Sequence, residues 1–110
     1  GFMIALTQAM TVAIACPGEE LMTLGELSNT MYVVLRGTLD VILEDGSIST
    51  PLKEGSCFGE QSMLHSNPNT MCIVATAYCE LYQLQRVDFD ALQHEFVKTF
   101  EGFKQAARLE

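Results

Sequence analysis

Positive charge is scarce in this chain of 110 residues: six Lys and Arg stand against fourteen Asp and Glu, a formal net charge of −8. Such a field repels phosphate backbones at long range, which excludes general binding to nucleic acid polymers. Any anion the chain binds must be held by local geometry. Clustered metal ligands are missing too. The four cysteines, at positions 16, 57, 72 and 79, include no CxxC pair, and His65 and His94 have no carboxylate or Cys at ligand spacing. That pattern argues against a zinc site, and the cysteine density is too low for a secreted disulfide scaffold. Reduced thiols in a cytosolic setting are expected. No Gly-x-Ser-x-Gly elbow occurs, and Ser62 and His65 have no third partner in the sequence pattern. Nucleophilic catalysis, and with it an enzyme, is not expected.

Charge is absent altogether between Gly1 and Gly18. The apolar stretch from Phe2 to Cys16 nevertheless lacks the basic leader of a signal peptide. It is also shorter than the roughly 20 residues that cross a bilayer, so no direct membrane insertion by this segment is expected. Thr7, Gln8 and Thr11 interrupt it. The pattern predicts a short helix over Phe2–Met10 and a first strand over Thr11–Cys16, rich in β-branched and small residues. The lack of charge implies that both are largely buried. The chain reads as a piece of a longer protein.

No linker, low-complexity run or internal repeat divides the chain, so residues 1–110 are read as one domain: an N-terminal helix and first strand over 1–16, strands over 17–85, and C-terminal helices over 86–110. Cys16-Pro17-Gly18-Glu19 reads as a turn, Gly37 as a bend, and Pro51 and Gly55 as further bends. Met31, Val33 and Leu35 share one face of a strand, and Tyr32, Val34 and Arg36 the other. Leu39, Val41 and Leu43 alternate with Asp40, Ile42 and Glu44. Asp45-Gly46 predicts a hairpin with a type I′ turn. Cys72–Thr76 and Glu80–Leu84 read as strands. Asp88 is placed as an N-cap, with Phe89, Leu92 and Phe96 on one helical face. Val97, Phe100, Phe103 and Ala107 continue an apolar stripe, with a bend near Glu95–Val97. The predicted class is mainly β with flanking α-helices: an antiparallel, jelly-roll-like β-roll plus C-terminal helices.

Chemistry concentrates in Gly55-Ser56-Cys57-Phe58-Gly59-Glu60-Gln61-Ser62-Met63-Leu64. Two glycines flank Phe58 and lead into a run able to form one helical turn. Gly59 would let a ligand approach the backbone closely. Amides following Glu60 would point outward at a helix start, a geometry suited to anions. Glu60 itself is an acceptor suited to a neutral hydroxyl such as a ribose 2′-OH, with the capping of its own turn as the alternative reading.

With these blocks in hand, the chain resembles the cyclic nucleotide-binding domain family. Three blocks match in order: Pro17-Gly18-Glu19 through Leu24-Gly25-Glu26, Met31-Tyr32-Val33-Val34 through Arg36-Gly37, and Gly55 through Leu64 with Thr70. Tyr78-Cys79-Glu80-Leu81-Tyr82 followed by Asp88-Phe89 resembles the versions on the cytoplasmic side of voltage-gated-type cation channels. The resemblance implies an eight-stranded β-roll, a phosphate-binding cassette over residues 55–70 and a C-terminal helix that closes over the ligand.

By the same resemblance, the ligand is cAMP or cGMP, with no other cofactor and no metal. Phe58 lies within the cassette, Gly59 and Glu60 match its glycine and its ribose-binding glutamate, and the amides of Gly59, Glu60, Gln61 and Ser62 meet the cyclic phosphate. Thr70 and Asn69 stand beside it. Where the family carries an Arg that neutralises the phosphate, this chain has Asn69, a neutral donor that is equally read as a turn residue after Pro68. A hydrogen bond to a charged group contributes about 1.5–3 kcal/mol against roughly 0.5–1.5 for a neutral one. The implied loss of affinity is on the order of tenfold. Arg108 falls near the place where the closing helix supplies a base contact. The expected role is an intracellular regulatory module on the cytoplasmic side of a membrane, gating a host channel or transporter. The alternative is a degenerate domain that serves as a ligand-independent gating or interaction scaffold. A cupin-type enzyme on a similar roll would need clustered His ligands that are not there.

Overall fold

Two sheets face one another because their strands alternate in burial. A computed structural model describes residues 1–96 and 101. In chain order the elements are α1 (Phe2–Ala9), β1 (Thr11–Ala15), β2 (Glu20–Met22), β3 (Thr30–Arg36), β4 (Leu39–Leu43), β5 (Cys57–Phe58), α2 (Glu60–His65), β6 (Met71–Ala75), β7 (Cys79–Gln85) and α3 (Arg86–Glu95). One antiparallel sheet runs β1-β7-β3-β5 and the other β2-β6-β4. Val34, Phe58 and Leu81 of the first sheet and Leu39, Val41 and Ile73 of the second form one buried cluster between them. The expected β-roll with flanking helices is present.

Gly37 carries the chain from the first sheet to the second. Its φ is +100°, and a Cβ there would stand 2.6 Å from Cys79 Sγ and 2.7 Å from the Tyr78 carbonyl oxygen. Only glycine fits both the angle and the space.

A second buried cluster covers part of the outer face of the larger sheet. It joins Met63 of α2, Leu84 of β7 and Phe89 and Leu92 of α3, with Ala5, Leu6 and Ala9 of α1 packed against it. The helical face predicted from Phe89, Leu92 and Phe96 is thus the docking face of α3. No helix among the described residues is long and apolar enough to cross a membrane.

Several expectations are corrected. The charge-free N-terminal elements are not largely buried: Ile4, Val12 and Ile14 are 63%, 60% and 61% exposed. β1 is an edge strand. Its inward residues Ala13 and Ala15 pair with Leu81 and Cys79, while Val12 and Ile14 point outward, opposite Tyr82 and Glu80. The hairpin at Asp45-Gly46 forms, but not through a type I′ turn. Gly46 has φ +86°, whereas Asp45 is not left-handed. Gly46 N–H donates to the Leu43 carbonyl and Leu43 N–H to the Ser47 carbonyl, each at 2.9 Å. This is the three-residue loop of a type I turn closed by a left-handed glycine. Asp45 Oδ1 accepts from Ser47 Oγ and Ser47 N, which holds the carboxyl below its ordinary value.

α3 begins at Arg86 with Gln85 as its N-cap, so Asp88 lies inside the first turn instead of capping it. The start is set by tertiary pairing, since Arg86 N–H donates to the Asn29 carbonyl at 2.9 Å. Among the described residues, seven strands are formed where the resemblance implied eight. Ile48 and Leu52 make isolated bridges to Ile42 and Leu39 beside β4, and Pro51 between them has no N–H to extend the ladder. α3 ends at Glu95, close to the expected bend. Apart from Glu101, the expected continuation over Val97–Leu109, with Arg108, lies outside the described residues.

Candidate functional site

The site begins at β5, a strand too short for the alternation pattern to reveal. Phe58 pairs with Tyr32 of β3, and the two rings stack with centroids 4.9 Å apart and planes 24° from parallel. The next residue, Gly59, has φ +89° and serves as the N-cap of α2. A Cβ on Gly59 would lie 2.5 Å from the Thr30 carbonyl oxygen. The close approach that demands glycine is therefore to the backbone of β3, where the sequence reading placed a ligand.

α2 is six residues long and stops at Ser66, itself left-handed at φ 54°. Residues 67–70 then return the chain to β6. Together the start of α2 and this return loop form one wall of an open groove of about 470 Å³, and Met22, Val41, Leu52 and Ile73 line it too. That volume lies within the range of about 300–1,000 Å³ typical of small-molecule sites. Phe58, Gly59, Glu60, Gln61, Ser62, Asn69 and Thr70 all line it, so the fold gathers every expected site residue it describes. Glu60 is the only charged side chain among the described residues of the lining.

Two of these residues also hold the loop between β2 and β3. Asn69 is buried; its Nδ2 donates to the Thr23 carbonyl at 3.1 Å and its Oδ1 accepts from Ser28 Oγ at 3.0 Å. Its backbone completes the tie, with Asn69 N–H donating to the Glu26 carbonyl and Gly25 N–H donating to the Asn69 carbonyl, each at 2.8 Å. Ser62, also buried, accepts the Ser28 N–H on Oγ at 2.8 Å. Sequence reasoning missed Ser28 and this clamp. Nothing local signals a contact that spans 34 and 41 residues of chain. It also missed Cys57, whose Sγ lies 3.8 Å from Glu60 Oε2. Although Cys57 reaches solvent, burial of its sulfur and the neighbouring Glu60 carboxylate push the thiol up to about 12.

This arrangement offers a concave apolar wall, a tight glycine turn that starts a short helix, one carboxylate acceptor and the Thr70 hydroxyl. The sequence profile described as "Cyclic nucleotide-binding domain" matches residues 14–96. The chain is 35% identical over 72 residues, 66% of its length, to a cAMP-dependent protein kinase regulatory subunit of Eremothecium gossypii. It is 31% identical over 90 residues, 80% of its length, to the human voltage-gated inwardly rectifying potassium channel KCNH6. Over 106 residues, 96% of its length, it is 30% identical to the human potassium/sodium hyperpolarization-activated cyclic nucleotide-gated channel 3. It spans 16%, 9% and 14% of those three proteins respectively. In three dimensions it is similar to the Thermus thermophilus catabolite activator protein, with a TM-score of 0.77 and 25% identity over 96% of this chain and 50% of that one. The chain is thus similar both to ion channels and to a kinase regulatory subunit. From residue 14 to residue 96, this chain belongs to the cyclic nucleotide-binding domain family.

Proposed function

We propose that this chain is the sensor segment of a larger intracellular protein and binds a cyclic nucleotide, cAMP or cGMP, in the groove beside α2. The observation that carries this reading is the left-handed Gly59, which starts α2 at the groove and sets Glu60 on its lining. In the bound state the amides of Gly59, Glu60, Gln61 and Ser62 meet the cyclic phosphate, Glu60 accepts the ribose hydroxyl, and Thr70 and Asn69 stand beside the phosphate. Arg108, on the segment beyond α3, contacts the base. The chain works by binding and not by catalysis.

Transmission arises from packing. Met63 of α2 shares a buried cluster with Phe89 and Leu92 of α3, so a ligand that shifts α2 alters the seat of α3 and of the segment after it. A ligand moves such an equilibrium only through its differential affinity for the two states. The relatedness to ion channels supports a host channel on the cytoplasmic side of a membrane, where this shift gates the pore. Isothermal titration with cAMP and with cGMP tests the proposal: binding with a measurable heat is expected, and no heat at about millimolar ligand removes the sensing role.

A second reading is favoured by one observation. Asn69 occupies the position of the family's cationic residue and has partners in Thr23 and Ser28. A domain that uses this residue to tie a loop serves as a ligand-independent scaffold. The same titration separates the two readings.

A further inference from the structure

We infer that residues 28–30 pass the state of the groove to the first turn of α3, by a hydrogen-bonded route separate from the apolar layer. Its use in signalling rests on the reading of the groove as a ligand site. Two sets of bonds meet at this segment. On the groove side, the Ser28 N–H donates to Ser62 Oγ at 2.8 Å and the Ser28 hydroxyl to Asn69 Oδ1 at 3.0 Å. Ser62 and Asn69 both line the groove. On the helix side, the Asn29 carbonyl accepts the Arg86 N–H at 2.9 Å. The Ser28 carbonyl accepts from Arg86 Nη2 at 3.5 Å, and Thr30 Oγ1 donates to Gln85 Oε1 at 3.1 Å.

Arg86 is the first residue of α3, and its N-cap Gln85 gives the helix no side-chain bond. First-turn amides have no acceptor within their own helix, so the Asn29 carbonyl seats the start of α3. Ser28 and Asn29 are adjacent, their Cα atoms about 3.8 Å apart, which leaves no slack between the two sets of bonds. A shift of Ser62 or Asn69 therefore either carries the Asn29 carbonyl with it or breaks a bond. Both outcomes alter the seat of the Arg86 amide. Ser28 is thus a positioning residue, tied to α2, to the return loop and to α3 at once.

A substitution can cut this route and spare the helix. Gln85 is extended, at φ −78° and ψ 154°, the backbone that suits the residue before a proline, and proline is favoured at the first helical position. R86P therefore deletes the N–H and the guanidinium that meet the loop and keeps α3, which circular dichroism and thermal melting check. The experiment records amide exchange and nitrogen–proton correlation spectra for the 110-residue chain, for N69A, for R86P and for the double variant. In N69A the Arg86 amide is expected to exchange about tenfold faster than in the parent, and the Val87 and Asp88 resonances to move. In the R86P background the same Asn69 change is expected to move Val87 and Asp88 less than about a third as far. An Arg86 amide indifferent to N69A, or a response of equal size with R86P present, overturns the inference. S62A supplies the perturbation from α2 if N69A does not fold. If R86P does not fold, exchange at the Arg86 amide in N69A and S62A decides. With cAMP added to about millimolar, shifts at Ser62 and Asn69 are expected to reach Val87 in the parent and to fall short of it in R86P. Ligand shifts at the groove with Val87 and Asp88 unmoved in the parent overturn the inference and leave cyclic-nucleotide binding standing. If no resonance responds to cAMP or cGMP, the cyclic-nucleotide reading falls, and the N69A comparison still decides the route.

Discussion

At the scale of single residues, two positions around the groove have consequences that measurement can reach. Gly59 has φ +89°, and a methyl group there would meet the Thr30 carbonyl oxygen at 2.5 Å. Gly59→Ala combines an unfavourable backbone region with a clash against β3, and is expected to destabilise the fold by about 1–3 kcal/mol. Urea denaturation checks this, and a variant as stable as the parent would show that the turn relaxes freely. Cys57 behaves differently from an ordinary surface thiol. Burial of its sulfur and the Glu60 carboxylate push it up to about 12, so the reactive thiolate is about one part in ten thousand at pH 8. Its alkylation by iodoacetamide is expected to be slow at that pH and to rise steadily towards pH 11. Glu60→Gln removes the nearby charge and speeds the reaction. Equal rates in the two proteins would show that the carboxylate has no hold on the thiol.

Among elements, the informative contact is between the return loop after α2 and the loop between β2 and β3. Asn69 joins them through its side chain and its backbone, and Ser62 adds the Ser28 amide. Asn69→Ala leaves the Ser28 hydroxyl and the Thr23 carbonyl without these partners. Both groups are only part-buried, so the loss is expected to cost about 1 kcal/mol, the size of an ordinary net hydrogen bond. Hydrogen exchange is expected to quicken at the amides of Gly25, Ser28 and Asn69 while those of β3 and β7 keep their protection. Uniform loss of protection would instead mean that the loop is part of the global folding unit. The short elements matter here because their positions are borrowed: β5 has two residues and is held by its pairing to Tyr32 and Val33.

Across the whole molecule, the helices form one apolar layer. Phe89 is 2% exposed and lies in the cluster that joins α1, α2, β7 and α3. Truncating a buried Phe to Ala costs about 3–5 kcal/mol. Phe89→Ala is therefore expected to lower the midpoint of thermal unfolding and to loosen α1 and α3 together, seen as faster proteolysis at both ends of the chain. Cleavage confined to the C-terminal end would show that α1 docks independently. The same layer makes α2 and α3 neighbours in one core.

Much of this architecture was legible in the chain by itself. The alternation of Leu39, Val41 and Leu43, the glycine turns and the apolar face of Phe89, Leu92 and Phe96 are local patterns with periods of two and 3.6 residues, and local sterics and burial determine them. The run from Phe58 to Ser62 marked the groove for a similar reason, since a glycine followed by helix-forming residues specifies a turn and a helix start. Other features were decided only by tertiary structure. Which face of an uncharged strand meets solvent depended on β1 lying at a sheet edge, where Val12 and Ile14 have no second layer over them among the described residues. That Gly59 is required by β3, that Asn69 serves a loop, and that Cys57 sits against Glu60 all depend on segments brought together from afar or on the path of the turn. Periodicity encodes which way a side chain points; only the packed chain decides what it meets there.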